Sequence, residues 1–550
     1  MHAHLIDRTD SAYSSPLLIK HLLNHSAAAN SGNSIIYRDR LQLSYPELQR
    51  RIARLANALK SLGVKTGDTV AVMDYDSHRY LECFFAVPML GAVLHTINVR
   101  LSPEQMLYTI EHAEDDVLLV HSDFLPLLEP IKGRIDTVKK FVLINEDDTA
   151  PATGIEFVAE YESMLRACLP LCDFPDFDEN TRATTFFTTG TTGMPKGVSF
   201  SHRQLVLHTL TAMAALGTAG HGNLHQGDVY MPLTPMFHVH AWGLPYVATT
   251  LGVKQVYPGR YTPEALLKLI DSEGVTFSHC VPTILHMLLS HPLAERVDLS
   301  QWKVIIGGSA LPRALCLAAL QRGIDIFTGY GMSETCPILT LAHLTPDMTD
   351  LNREEQIDIR CKTGRPLPLV DIQLVDEQMQ HVPDDGRSVG EIVVRAPWLT
   401  QSYLKDHKNS ETLWRGGYLH TGDVASRDSR GYLKISDRTK DIIKVGGEWV
   451  SSLELEDVLC HHPAVQEVAV IGRADPKWGE LPLALTVLKP EPGKEISEKK
   501  LLAYLRDFVD KGIVSKYALL TRIRFVEVID KTSVGKTDKK ALRAKYLAEQ

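Results

Sequence analysis

The chain has 550 residues, with 58 Lys+Arg against 67 Asp+Glu and a formal net charge of −9, a length for about three to five packing units. Its 44% hydrophobic and 23% charged content excludes a disordered chain, and the mildly acidic balance argues against general nucleic-acid binding. Eight scattered cysteines without a CxxC pair read as a reducing compartment rather than a disulfide framework.

The segment Met1–Ser15 carries His and Asp where a signal peptide needs Lys or Arg before an apolar run, and its first residues read as loosely ordered. Ser44 and Glu47 frame a capping box around Pro46. Leu48, Ile52, Leu55, Leu59 and Leu62 then recur on one face as far as Gly63, which predicts a helix. Gly67-Asp68 turns into a strand, Thr69–Met73. Strand-like runs alternate with helical periodicity through most of the chain, with no internal repeat, and this predicts an α/β fold.

An apolar strand, Thr184–Phe187, leads into Thr188-Thr-Gly-Thr-Thr-Gly-Met-Pro-Lys-Gly197, and a helix is expected from about Ser201-His202. Gly190 and Gly193 let the backbone turn tightly and present N–H groups. Thr188, Thr189, Thr191 and Thr192 add hydroxyls and Lys196 adds charge, a combination suited to nucleotide phosphates. The spacing is not that of a Walker A loop. Gly535-Lys536-Thr537 fails the same test because Asp530 stands where the first Gly should be, so a P-loop NTPase is excluded. A Gly/Thr-rich turn without a phosphate role is the alternative.

Further along, Gly417–Asp423 and Gly431–Ile435 read as short strands with tight turns. The charged run Asp437-Arg-Thr-Lys-Asp441 separates them from a compact α+β pattern: strand Ile442–Val445, helix Leu453–Cys460, strand Val465–Ile471 and helix Glu498–Val509. The expected division is a large unit over 1–436, a hinge at 437–441 and a small unit over 442–550; on pattern alone the five residues serve equally as a rigid connector. No uncharged apolar stretch reaches the roughly 20 residues that cross a bilayer. The final Ala548-Glu-Gln550 matches no peroxisomal or ER-retention signal, and the expectation is a cytoplasmic protein.

Eight further motifs follow the Gly/Thr loop: Pro235–His238, Gly307–Ala310, Thr328–Thr335, Gly390–Ile392, Thr421–Asp423, Asp437–Asp441, Lys444–Trp449 and Lys531–Lys536. In this order they resemble the acyl-adenylate-forming superfamily of acyl-CoA synthetases, luciferases and peptide-synthetase adenylation domains, over about residues 40 to 545. Met236–Tyr246, the stretch from Gly447 to Ser452, and Lys536 with the following Thr-Asp-Lys-Lys-Ala-Leu542 are similar to bacterial medium- and long-chain fatty acyl-CoA synthetases. Subfamilies that use aryl or branched acids carry similar motifs. Departures from the common pattern are Thr189 for Ser, Ser452 for Pro, Gly417-Tyr418 for Gly-Trp, and Lys531 for Pro or Arg; they bear on which acid is used more than on adenylation.

The resemblance implies a large, multi-subdomain α/β domain with a small mobile α+β domain, and ATP, Mg²⁺ and coenzyme A as reaction partners. It implies that an acid is converted to acyl-AMP with release of pyrophosphate and then passed to the coenzyme A thiol. It assigns the nucleotide to Thr188, Thr189, Gly190, Thr191, Thr192, Gly193, Lys196, Gly308, Ser309, Thr328, Gly329, Tyr330, Gly331, Ser333 and Glu334, with Tyr330 stacking on adenine. Asp423 would take the ribose hydroxyls, Arg438 the ribose or phosphate, and Lys440 would be the pivot, while Lys444 and Trp449 would approach in the second step. Mg²⁺ would fall to Thr188 and Glu334. His238 would orient the carboxylate, with Val239 and Trp242 beside the acyl group; core packing accounts for Trp242 equally well. The spacing His238-Val-His240 also suggests a transition metal, but no Cys or acidic pair accompanies it. Lys536 would bridge the incoming carboxylate and the α-phosphate. A ligase that loads a carrier protein, a luciferase-type oxidation and an inactive AMP-binding sensor are the rival readings. A homodimer is left open.

Overall fold

The computed structural model describes residues 6–23, 32–147, 151–188, 194–446, 448–489, 496–511, 514–531 and 537–547. Thr189, Gly190, Thr191, Thr192, Gly193, Gly447 and Lys536 lie outside these residues.

The expected first helix runs over Tyr45–Ser61. Ser44 caps it by accepting from the Glu47 N–H, and Leu48, Ile52, Leu55 and Leu59 are buried. The strand Thr69–Met73 is buried at every position, as a parallel strand covered on both faces must be. It belongs to a seven-stranded sheet in the order Ala159–Glu160, Lys140–Ile144, Asp115–His121, Thr69–Met73, Val93–Thr96, Arg182–Thr188 and Lys196–Ser201. All pairings in it are parallel except the last, an antiparallel hairpin.

A nine-stranded sheet packs beside it, with the parallel strands Asp325–Gly331, Lys303–Ile306, Phe277–Cys280, Val229–Pro232, Lys254–Tyr257 and Ser34–Tyr37 at its centre. Helix His78–Met89 is buried along its whole length, and a continuous apolar core runs from it to both sheets. Each fully buried Leu, Ile or Phe there contributes about 2 kcal/mol of transfer free energy. A third, antiparallel sheet, Asp371–Val375, Gly390–Arg395, Leu419–Arg427 and Leu433–Arg438, leads to the charged run.

The small C-terminal unit has its own sheet, Glu448–Val450, Ile443–Val445, Gly479–Leu488 and Val465–Asp475, with Arg522–Phe525 beside Gly479–Leu488. Its main core, with Ile443, Leu455, Leu459, Val470, Leu505 and Ile523, draws on no residue before 443. Helices Ser452–Cys460 and Glu498–Asp510 stand where periodicity places them. The fold is α/β, with a large N-terminal part and a smaller α+β part, as expected.

The helix expected from about Ser201-His202 begins at His202, capped by Ser201 and Gln204; between the Gly/Thr loop and this helix lies a second strand, Lys196–Ser201, paired antiparallel with Arg182–Thr188.

Candidate active site

Three segments distant in sequence converge at the carboxyl end of strand Asp325–Gly331. The Tyr330 hydroxyl donates to Asp423 Oδ2 at 2.8 Å, and Arg438 Nε lies 3.2 Å from Asp423 Oδ1. Asp423 and Arg438 sit opposite one another on adjacent antiparallel strands, which fixes their spacing. Removal from water, with Asp423 alongside, pushes the Tyr330 hydroxyl well above its usual range.

A second cluster adjoins the first. Glu334, 7% exposed, accepts from the Tyr403 hydroxyl at 2.7 Å, and its carbonyl accepts from the Thr400 N–H at 2.9 Å. Lys196 lies 4.6 Å from the Tyr403 ring centre and stands opposite Thr188 in the hairpin register. Burial raises the Glu334 carboxyl, against the Tyr403 hydrogen bond and the charges of Lys196 and Arg438. The field of Arg438 thus reaches both clusters. A carboxylate that burial disfavours as an anion is stabilised by a cation, and Mg²⁺ takes one or two carboxylates together with phosphate oxygens. Glu334, with the half-buried Thr188 near the hairpin turn, fits that role. Among the described residues no group of three or more His, Cys, Asp and Glu could hold a metal alone, so such an ion would share its ligands with a phosphate.

The backbone between the clusters is constrained. Gly308 has φ +78, and a Cβ at Gly331 would meet the Pro337 carbonyl oxygen at 1.8 Å. The Thr328 hydroxyl donates to the Arg360 carbonyl at 2.7 Å, which ties this strand to helix Arg353–Arg360. Ser309 is exposed and Ser333 half-buried.

His238 is half-buried and opens a left-handed turn. Val239, His240, Ala241 and Trp242 all have φ between +47 and +59, a conformation costing roughly 1–2 kcal/mol per residue outside glycine. Trp242 is buried against His279, with ring centres 4.9 Å apart, and a Cβ at Gly307 would meet its Cη2 at 2.8 Å. His240 sits among Phe84, Phe186, Phe200 and Tyr246, and burial lowers it to about 3. It is an apolar-core histidine rather than a metal ligand.

Lys444 and Trp449 face each other in cross-strand register, both exposed. The Lys444 amine lies 3.8 Å from Glu377, in the turn after strand Asp371–Val375 of the third sheet, not in the Asp423 cluster. Lys440 is exposed in the turn that follows strand Leu433–Arg438.

Three contributors carry no signal in the sequence. Asp76 is 4% exposed and accepts from the Met236 N–H at 2.8 Å and from the Tyr261 hydroxyl, while Thr96 Oγ1 donates to the Phe237 carbonyl at 2.9 Å. Together these two fix the segment that ends at His238. Tyr403 is the third, and none of the three lies in a motif.

The family described as AMP-binding enzyme matches residues 23–404, and its C-terminal domain matches 454–536. The chain is 42% identical over 506 residues to a long-chain-fatty-acid–CoA ligase of Thermus thermophilus, covering 92% of this chain and 90% of that protein. It is 38% identical over 543 residues to a 3-methylmercaptopropionyl-CoA ligase of Ruegeria lacuscaerulensis, covering 96% and 97%. Its fold superposes on a crystal structure of the anthranilate CoA ligase AuaEII in complex with anthranoyl-AMP with a TM-score of 0.83, at 27% identity, covering 97% and 98%.

Proposed function

The chain belongs to the AMP-binding enzyme family across both its large and its small unit, and from that premise we propose that it is an ATP-dependent acid–thiol ligase. It activates a medium- or long-chain fatty acid as acyl-AMP, releases pyrophosphate, and transfers the acyl group to coenzyme A. The observation that carries this reading is the convergence of Tyr330, Asp423 and Arg438 from separate elements next to the buried Glu334.

A carboxylate is inert toward a thiol because its carbonyl is blunted by charge and its leaving group is poor. Attack on the α-phosphate of ATP replaces that leaving group with AMP. The chain's own groups serve this step by alignment and charge neutralisation. Asp423 accepts from ribose hydroxyls, Arg438 and Lys196 offset phosphate charge, and Tyr330 faces the base. Glu334 and Thr188 would hold Mg²⁺, which when bound would supply further charge neutralisation for the phosphates. His238, on its fixed loop, orients the acid, with Val239 and Trp242 at the acyl group. Lys536 adds a cation to the oxygens where negative charge builds up. For the thiol step, the small unit turns about Lys440 within 437–441 and brings Lys444 and Trp449 to the adenylate.

A second reading has its own support. Trp242 is pressed onto Gly307 and His279, a close packing that suits a small acid, and one relative acts on a short thioether acid. An acid panel from acetate to palmitate, with 3-methylmercaptopropionate, benzoate and cinnamate, separates the two. Read as pyrophosphate release with and without coenzyme A, the highest kcat/KM is expected on C8–C16 alkyl acids. Release with no acid in the panel would overturn the ligase reading, and a preference for the short acids would transfer it to the second.

A further inference from the structure

Asp437 is the last residue but one of strand Leu433–Arg438 and is 1% exposed. Its two carboxylate oxygens hold different parts of the chain. Oδ1 accepts from the Arg438 N–H at 2.8 Å, on its own strand. Oδ2 accepts from the Ser452 N–H at 2.7 Å, at the first residue of helix Ser452–Cys460 in the small unit. There a carboxylate also meets the positive end of the helix dipole.

Arg438 is gripped by its backbone around this point. Its N–H is taken by Asp437, and its carbonyl accepts from the Asp441 and Ile442 N–H groups at 2.8 and 2.9 Å. The side chain is exposed, with Nε 3.2 Å from Asp423. Backbone bonds, more than packing, therefore set where the guanidinium points.

The Ser452 end is fixed as well. Ser452 is fully buried, and its hydroxyl accepts from the Lys539 amine, which pairs with Glu456 at 2.8 Å. Lys539 opens helix Lys539–Leu547, and one turn on Arg543 bonds Asp441 at 2.7 Å. Burial raises the Asp437 carboxyl, against the Lys539 charge and the bonds from Ser452 and Arg438. An anion in this place depends on its donors. Ser452 stands where the common pattern has Pro, which has no N–H to give.

We infer that Asp437 is a positioning residue for the nucleotide: its paired bonds to the Ser452 and Arg438 N–H groups align the Arg438 guanidinium only while the small unit is seated in this arrangement. The inference rests on the ligase reading above, in which Arg438 meets ribose or phosphate. Without the Ser452 donor the buried Oδ2 is unsatisfied, and the carboxylate that holds the Arg438 N–H is free to rotate. Nucleotide affinity then reports the seating of the small unit, and by linkage bound nucleotide steadies that seat.

Substitutions at the two ends of the bond test this in the full-length protein. S452P removes the N–H with little harm to the helix, because Pro is accommodated at the first helical position. Ser451 already has φ −72 and ψ 121, the extended backbone that precedes Pro. S452A removes the hydroxyl and keeps the N–H, and D437A removes the acceptor. In ATP titrations, S452P and D437A should each raise Kd threefold to tenfold, the double variant no further than either alone, and S452A less than twofold. In an R438A background S452P should add less than twofold. Trypsin cleavage after the exposed Arg438 and Lys440 should quicken equally in S452P and D437A, and ATP should slow it most in the wild type. Additive losses in the double variant, a loss in S452A equal to that in S452P, or an undiminished effect of S452P over R438A overturns the proposal. No ATP binding by the wild type counts against the ligase reading instead, and the cleavage rates then decide by themselves whether Asp437 and Ser452 act as a pair.

Discussion

Asp76 illustrates how a residue outside every motif governs one inside. Its carboxylate satisfies the Met236 N–H and the Tyr261 hydroxyl, and both partners are buried or half-buried. D76A leaves the amide unpaired, at a cost of about 1–3 kcal/mol, and frees the segment carrying His238. Asp76 is thus a positioning residue. The expected result is a tenfold or larger fall in kcat for acyl-AMP formation with little change in KM for ATP, largely rescued by D76N, whose amide oxygen still accepts. If D76N fell as far as D76A, the geometric account would be wrong. Burial pushes Asp76 up to about 7, against the bonds from Tyr261 and Met236 and the charge of Arg100, while Asp74 adds to the rise. The folded state therefore keeps this proton to higher pH than the unfolded chain, so the associated stability is full below about pH 4 and is lost as pH climbs to 7. Denaturation of wild type and D76N across that window should show the wild type losing stability relative to the variant, by as much as about 4 kcal/mol. A constant difference would refute the shift.

At the scale of elements, strand Asp325–Gly331 depends on close approach to its antiparallel neighbour Ile338–Leu341. At Gly331 a methyl group would strike the Pro337 carbonyl, which is backbone and cannot turn aside. At Gly329 the nearest atoms are side-chain methyls, Ile305 Cγ2 and Leu341 Cδ2, at 2.9 and 3.3 Å, which can give way more readily than backbone. G331A should lose about 1–3 kcal/mol of stability and weaken ATP binding at least tenfold, with G329A losing less stability, as equilibrium denaturation and ATP titration would measure. Equal losses would mean that the contact at Gly331 is not limiting. Periodicity carried the reading of helix Tyr45–Ser61 and of strand Thr69–Met73, because one buried stripe and one fully buried run leave direct traces in composition. Strand Lys196–Ser201 left no such trace: it opens on Lys-Gly after Pro195 and is defined by its partner strand. Asp76 and Tyr403 were invisible for a related reason. They act on groups 160 and 69 positions away, and only the fold brings those distances to contact. The Tyr330–Asp423–Arg438 trio lies in stretches that the sequence had marked, but their mutual bonding had to be seen.

For the molecule as a whole, the question is whether one arrangement of the two units can serve two reactions. Among the described residues, polar side-chain contacts join the units. Ser451 Oγ donates to the Ser436 carbonyl, the Ser452 N–H donates to Asp437 at 2.7 Å, and Lys434 and Lys444 reach Glu454 and Glu377 at 3.3 and 3.8 Å. The two lysine pairs are largely exposed and contribute at most about 1 kcal/mol each, so releasing them costs little. In this arrangement the Lys444 amine lies by Glu377, in the turn after strand Asp371–Val375, away from the Asp423 bond network. A swing about Lys440 would exchange which face of the small unit meets the nucleotide. Two substitutions then dissociate the steps. K536A should slow acyl-AMP formation by about 10²–10³ and spare thioester formation from supplied acyl-AMP. K440P fixes φ at the proposed pivot and biases Thr439 away from helical backbone; it should preserve pyrophosphate release in the first turnover and slow the thioester step tenfold or more. Single-turnover kinetics with acid, and separately with acyl-AMP and coenzyme A, read the two steps apart. Were K440P to leave the thioester step at its wild-type rate, residues 437–441 would act as a rigid connector. Were K536A to slow both steps equally, its amine would not be specific to the first.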